Sequence, residues 1–261
     1  MNEFLDACCE AARIGGRELE NWRTRFSMRF KGRNDLVTDA DLASQTAIHD
    51  YLKGRFPDHR FLGEEKLDLA MNENRDSPWC WIVDPLDGTL NYVHQLQSWS
   101  TSVALWKGNQ IVAAAVFDPW LDELYSASES TPSSLNGAPL RVSDCQSIEN
   151  ALLVVSLPSR VQPDSPELQH VNRLFCNSRS VRRLGSAALN LCYVAAGRVD
   201  GYWATCLNLW DIAAGWLIVE KAGGVMISPE GGPVDPENPQ MLAAASTALA
   251  RQMREIALTG R

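Results

Sequence analysis

The stretch Asp84-Pro85-Leu86-Asp87-Gly88-Thr89 holds two acids three positions apart, straddling a proline. Proline fixes its own φ and has no N–H to give to a ladder, so both carboxylates fall in one tight turn. Two such anions repel each other unless a cation joins them. Gly88 tolerates backbone angles closed to other residues, and the amides of Gly88 and Thr89 can face an anion at the start of a following helical turn. Cations on one side and backbone donors on the other suit a phosphate group. Taken alone, such an acid pair reads as a solvated turn, so the remaining acids matter. Phe61-Leu62-Gly63-Glu64-Glu65 sets two acids just after an apolar pair, Glu64 as the candidate ligand and Glu65 as its solvated neighbour. Leu209-Trp210-Asp211 puts Asp211 at the start of an apolar, small-residue helix, where capping worth about 1 kcal/mol is the competing role. A carboxylate-rich, all-oxygen set suits a hard cation such as Mg²⁺. His49, His59, His94 and His170 are scattered and show no ligand spacing.

Those acids need elements to hold them. The apolar run Trp79 to Val83 reads as a buried strand that delivers Asp84 at its carboxyl end and stops at Asp84-Pro85. Upstream, helical spacing of apolar residues predicts a helix over 3–22 and a second over 40–53, closed by Pro57. Downstream, strands are expected at 100–106, 110–117 and 123–127, the first two joined as a hairpin at Gly108-Asn109, followed by a polar loop over 128–134. A strand at 151–157 then precedes helices near 166–175, 185–196 and 211–222, alternating with strands at 200–204, 225–227 and 241–245. Such alternation predicts a sheet covered by helices.

In order and spacing, Asp35 to Asp41 (Asp-Leu-Val-Thr-Asp-Ala-Asp), Gly63-Glu64-Glu65, Asp84 to Tyr92, Gly185 to Asn190 and Trp210 to Gly215 resemble the motifs of the inositol monophosphatase family. The resemblance covers nearly the whole chain. It implies an α/β (α+β) sandwich of alternating helix and sheet layers, shared with fructose-1,6-bisphosphatase, together with Mg²⁺ dependence, lithium sensitivity and a homodimer. It further implies that Glu64, Asp84 and the carbonyl of Leu86 bind one Mg²⁺, and that Asp84, Asp87 and Asp211 bind a second. Asp41 and Thr89 would orient and deprotonate the attacking water; read without the family, they are a first-turn acid and a turn hydroxyl. The amides of Gly88 and Thr89 would hold the phosphate, Asp87 and Asp211 would touch the substrate, and Gly185, Ser186 and Ala187 would form its sugar-facing wall. Lys31 falls near a bordering basic position.

One departure bears on substrate. Ala204 stands where inositol-preferring members of the family carry a glutamate that accepts bonds from ring hydroxyls, a loss of about 1–3 kcal/mol of discrimination. The expected activity is therefore that of a phosphoric monoester hydrolase acting on inositol monophosphate or a similar polyol phosphate. Histidinol phosphate, fructose 1,6-bisphosphate and 3′-phosphoadenosine 5′-phosphate stay open as alternatives. A catalytically silent regulatory protein of the same fold is the reading from another class, and the complete acid set argues against it.

Bulk properties bound these readings. A chain of 261 residues supports one compact unit, with 1–145 supplying the antiparallel sheet and most ligands and 146–261 supplying Asp211 and the substrate wall. No stretch is long and apolar enough to span a bilayer, and Met1 to Glu10 lacks the basic-then-apolar order of a secretory signal, which points to the cytoplasm. A net charge of -8 disfavours binding to nucleic acid. Seven cysteines without a Cys-x-x-Cys pair are expected to be reduced core residues.

Overall fold

Small residues at helical spacing form one buried face of α1 (Glu3–Trp22): Ala7, Cys8, Ala11, Ala12, Gly15 and Leu19. The computed structural model describes residues 3–32, 35–65, 76–158 and 160–259, and the side chains of 29–32, 35 and 36 lie outside that description, Lys31 among them. An antiparallel pair, β1 (Met28–Gly32) and β2 (Asp35–Thr38), leads into α2 (Asp39–Arg55). A capping box starts α2: the Thr38 hydroxyl accepts from the Ala40 amide while the Asp41 carboxylate accepts from the Thr38 amide. Gly15 lets the two helices close, since a Cβ there would lie 2.6 Å from Ile48.

A seven-stranded sheet follows in simple order: β3 (Arg60–Gly63), β4 (Trp79–Asp87), β5 (Ser100–Lys107), β6 (Gln110–Asp118), β7 (Glu123–Ser128), β8 (Thr131–Leu135) and β9 (Ala138–Pro139). All neighbours are antiparallel except β3 and β4. The short helix α3 (Thr89–Val93) sits between β4 and β5. Period-two alternation sorts the side chains. Trp81, Val83, Val103, Leu105 and Phe117 pack on α1 and α2, while Ile82, Ala104, Ala114, Val116 and Tyr125 face the opposite way.

The second sheet has five strands: β10 (Leu152–Ser156), β11 (Ser180–Arg182), β12 (Gly201–Ala204), β13 (Val225–Ile227) and β14 (Met241–Ala244), in the order β11-β10-β12-β14-β13. The strand β10 is parallel to both β11 and β12. Helices α4 (Pro166–Asn177), α5 (Ala187–Ala195), α6 (Leu209–Lys221) and α7 (Thr247–Thr259) complete the chain. Residues of α5 and α6 share one core with both sheets, whereas α4 and α7 cover the far face of the second sheet through Val171, Leu174, Leu249 and Met253 against Leu153, Trp203 and Leu242. The layers therefore run helix, sheet, helix, sheet, helix, the layered α/β sandwich expected from the sequence.

Several expectations need correction. The region 128–134 is not simply a polar loop, because β8 runs through its second half and buries Ser133. Helix α7 was not read from the sequence at all. All seven cysteines are free, but Cys176 and Cys206 are exposed rather than core residues. Among the described residues no helix is long and apolar enough to cross a membrane.

Candidate metal and phosphate site

The strand β4 does not stop at Asp84-Pro85; it continues to Asp87 with a bulge. Asp84 pairs with Ser102 and Asp87 with Ser100, three steps on one strand against two on the other. Pro85 occupies the bulge, where its missing N–H breaks no ladder bond. Its carbonyl is pinned from two elements, accepting from Ser44 Oγ of α2 at 3.0 Å and from Thr101 Oγ1 of β5 at 3.2 Å. The Leu86 amide donates to Asp84 Oδ1 at 3.0 Å, which turns that carboxylate back over the bulge. Gly88 then leaves the strand at φ 96°, and a Cβ there would lie 2.7 Å from the Ser98 carbonyl oxygen. Gly88→Ala is accordingly expected to cost about 1–3 kcal/mol, read from the denaturant midpoint, through both strain and that contact.

Asp87 reaches across to the second half of the chain. Its carboxylate accepts from Ser186 Oγ at 2.5 Å and from the Ala187 and Ala188 amides at 3.0 and 2.7 Å, so it caps α5. This brings the predicted wall, Gly185, Ser186 and Ala187, onto the acid turn. Asn91 fastens the same junction, with Nδ2 donating to the Ser98 and Leu184 carbonyls at 2.7 Å each. Asp211 lies in the first turn of α6 and accepts from the Asn208 amide at 2.7 Å.

Glu64 is placed by the backbone: its amide donates to the Val83 carbonyl at 3.1 Å. Gln45 of α2 clamps the following residue, donating to the Glu65 carbonyl at 2.6 Å and accepting from the Glu65 amide at 2.9 Å. Glu65 is only 6% exposed. It is not the solvated neighbour expected, because Gln45 seals it against the protein. Gly63 leaves the room that the Gln45 amide group fills.

Asp41 combines its two alternative readings. Oδ2 accepts from the Thr38 hydroxyl at 2.5 Å as a capping acid, while Oδ1 faces the Thr89 hydroxyl at 3.4 Å. Thr89 Oγ1 also stands 3.1 Å from the Leu86 carbonyl. One hydroxyl proton serves one acceptor at a time, so Thr89 can switch between them.

Burial dominates the electrostatics. The Asp84 carboxyl is pushed well above the usual carboxylate range, first by burial and then by the negative charges of Glu64, Asp87 and Asp211. Burial also raises Asp87, offset by its bonds from Ser186, Ala187 and Ala188. Asp211 is pushed up to about 7, by burial first and with Asp87 contributing, and Asp41 to about 6, by burial against the Thr38 bonds. Among the described residues no three His, Cys, Asp or Glu side chains are closed into a ligating cage. Asp84, Asp87 and Asp211 instead spend lone pairs on protein donors while repelling one another. That repulsion and the all-oxygen donor set fit divalent hard cations. The positioning residues Ser44, Gln45 and Thr101 were not found from sequence; their only signal was small or polar side chains on otherwise buried faces. Ala204 is fully buried at the end of β12, opposite Ser156 and Met241.

A five-layer sandwich with acids collected at a strand end and at a helix start between its sheets is the class this fold and site define. The chain belongs to the inositol monophosphatase family, whose model matches residues 1–258. It is similar to the Nus factor SuhB of Pasteurella multocida, 37% identical over 236 residues, covering 89% of this chain and 87% of that protein. It is also similar to the inositol-1-monophosphatase of Synechocystis sp., 36% identical over 249 residues, covering 93% and 85%. Among solved structures, the extragenic suppressor protein suhB from Bartonella henselae superposes with a TM-score of 0.93 at 30% identity, with both chains fully covered. Members of this family are in general Mg²⁺-dependent.

Proposed function

We propose that this chain is a Mg²⁺-dependent phosphatase that hydrolyses a small phosphomonoester, a polyol phosphate such as inositol monophosphate in the first instance, and that 1–145 and 146–261 act as one catalytic unit. The observation that carries the reading is the Asp84 carboxyl, buried and under the combined repulsion of Glu64, Asp87 and Asp211. Stability alone does not explain four acids so arranged, and cations would relieve their repulsion. Glu64, Asp84 and the Leu86 carbonyl would hold one Mg²⁺, and Asp84, Asp87 and Asp211 a second. When bound, the cations supply positive charge that acidifies the attacking water and stabilises the departing oxygen.

The chain's own residues do the positioning. The bulge of β4, held at Pro85 by Ser44 and Thr101, sets Asp84 and Asp87 on the same turn. Gly88 presents its amide and that of Thr89 to the phosphate. Thr89 Oγ1 holds the water, and Asp41 Oδ1 accepts a proton through it. Gly185, Ser186 and Ala187, drawn in by Asp87, wall the leaving group, which Asp87 and Asp211 touch.

Similarity to a protein named as a Nus factor supports a second reading, in which the chain acts by binding rather than by turnover. Phosphate release with and without Mg²⁺, across inositol 1-phosphate, glycerol 2-phosphate, histidinol phosphate, fructose 1,6-bisphosphate and 3′-phosphoadenosine 5′-phosphate, separates the two. The expected result is release from at least one compound that EDTA abolishes and Mg²⁺ restores. Silence on every compound would favour the binding reading. The same preparations give the oligomeric state, for which family likeness supports a homodimer, and the response to lithium.

A further inference from the structure

Trp106 and Ile111 are cross-strand partners beside the Gly108-Asn109 turn of the β5–β6 hairpin. Near them runs the last part of α6, where Trp216 and Glu220, and Leu217 and Lys221, stand four residues apart and so share one flank. Hairpin and helix line an open groove of about 260 Å³, to which Glu129 also contributes. The Glu129 amide is fixed on β6, donating to the Val112 carbonyl at 3.0 Å. Such a volume lies below the range of drug-sized ligand pockets and suits one long side chain. The groove is separate from the acid turn, because Asp211 lies in the first turn of α6 and the groove flanks the last two.

The floor is apolar and the rim offers acceptors. Trp106, Ile111 and Trp216 are half-buried and Leu217 is buried. Both indole N–H groups are already spent, Trp106 Nε1 on the Gly108 carbonyl and Trp216 Nε1 on Glu220 Oε1 at 2.8 Å. The groove's own cation is spent too, since Lys221 Nζ donates to the Glu129 main-chain carbonyl at 2.6 Å. The carboxylates of Glu129 and Glu220 are exposed, and neither forms an ion pair among the described residues. Two carboxylates against one lysine leave the groove negative, and the carboxyl end of the α6 dipole adds to that sign. An occupant therefore meets indole faces and anionic oxygens, on a chain of net charge -8. That surface matches a cation. Arginine fits it better than lysine: a planar guanidinium lies flat on an aromatic ring while bonding carboxylate oxygens, and its methylene stem covers apolar neighbours such as Ile111 and Leu217.

We propose that this groove receives an arginine side chain from another protein chain, with the guanidinium on the Trp106 and Trp216 rings and against Glu129 and Glu220. The contact is independent of the phosphatase reading and takes no part in turnover.

The probe is an acetylated heptapeptide with one arginine among six glycines, compared with its twin carrying citrulline, the neutral isostere. Each is titrated into the full chain labelled with ¹⁵N at tryptophan, in excess Mg²⁺ and again in EDTA at equal ionic strength. The readout is the indole N–H resonance of Trp216, recognised by its absence from W216F. The arginine peptide should move that resonance saturably, and equally in Mg²⁺ and EDTA. The citrulline peptide should bind at least about tenfold more weakly, having lost both the cation on the rings and the charged bonds. E129Q/E220Q, which keeps an acceptor for the Trp216 indole, should weaken the arginine peptide by about fivefold or more while leaving the melting temperature and phosphate release unchanged. No saturable movement of the resonance, equal binding of the citrulline peptide, or undiminished affinity of E129Q/E220Q overturns the proposal. Binding that Mg²⁺ abolishes belongs to the acid turn and overturns it equally.

Discussion

Asp84→Asn is expected to lower turnover at least about a thousandfold, a loss of several kcal/mol of transition-state stabilisation, and at the same time to raise the melting temperature measured in EDTA at pH 8. The two effects have one origin. Asp84 is buried and sits among Glu64, Asp87 and Asp211, which hold its carboxyl well above the ordinary range. A carboxyl whose pKa is higher folded than unfolded binds more protons in the native state, so stability falls as pH rises between the two values. The cost is absent well below the ordinary aspartate value of 3.8, where the group is protonated in both states, and grows as pH rises through that value towards the raised folded one. Asp211, at about 7, and Asp41, at about 6, act in the same sense. In EDTA the unmodified chain should therefore lose stability from mildly acidic to mildly alkaline pH. Asn at position 84 removes one charge from the group, so its advantage should be largest at pH 8 and shrink towards pH 4. Mg²⁺ should raise the melting temperature of the unmodified chain and do little for the variant. Near-normal turnover by the variant would exclude Asp84 as a shared ligand, and a lower melting temperature in EDTA at pH 8 would show that the repulsion among these acids does not limit stability.

How much of this was legible in the sequence depended on the period and length of the signal. Trp79 to Val83, all apolar, could only be a strand covered on both faces, and it is covered by α1 and α2 on one side and α5 and α6 on the other. Helix α1 and strands β5, β6 and β7 were readable because each has a long, regular pattern. Of the short strands at sheet edges only β13 was read: β3, β9 and β11 have four, two and three residues, too few to show alternation, and β8 hides within serines. Helix α7 follows a strand with no proline or glycine between them to announce it. The acids of the site were legible because charge inside an apolar context is rare. Their supports were not, because Ser44, Gln45 and Thr101 are ordinary polar residues until α2 and β5 are laid against the bulge of β4. The strand's passage through Pro85 was hidden for a related reason: a proline reads as a stop unless the partner strand is known to skip a residue there.

Asp41→Asn and Thr89→Val should each reduce kcat by about 10²- to 10⁴-fold, the usual worth of a positioned base, while leaving Mg²⁺ affinity within a few-fold of normal. Neither residue belongs to the proposed ligand set, so a kcat loss without a binding loss is the distinguishing signature. Thr89→Ser keeps the hydroxyl within reach of Asp41 Oδ1 and the Leu86 carbonyl and should recover much of the rate. The ionised form of Asp41 is the one that accepts a proton, so activity should fall as pH falls through about 6, the value to which burial pushes this carboxyl. Two cations bound nearby favour the charged form and move that limb to lower pH. In the Asn variant the limb should vanish from the residual rate. Asp41 also caps α2 through Thr38, and a purely structural role would express itself differently: the variant would melt earlier, lose Mg²⁺ binding along with rate, and keep the acid limb. A pH profile of kcat for both proteins, taken with saturating Mg²⁺, decides between a base that happens to cap a helix and a cap that happens to face the site.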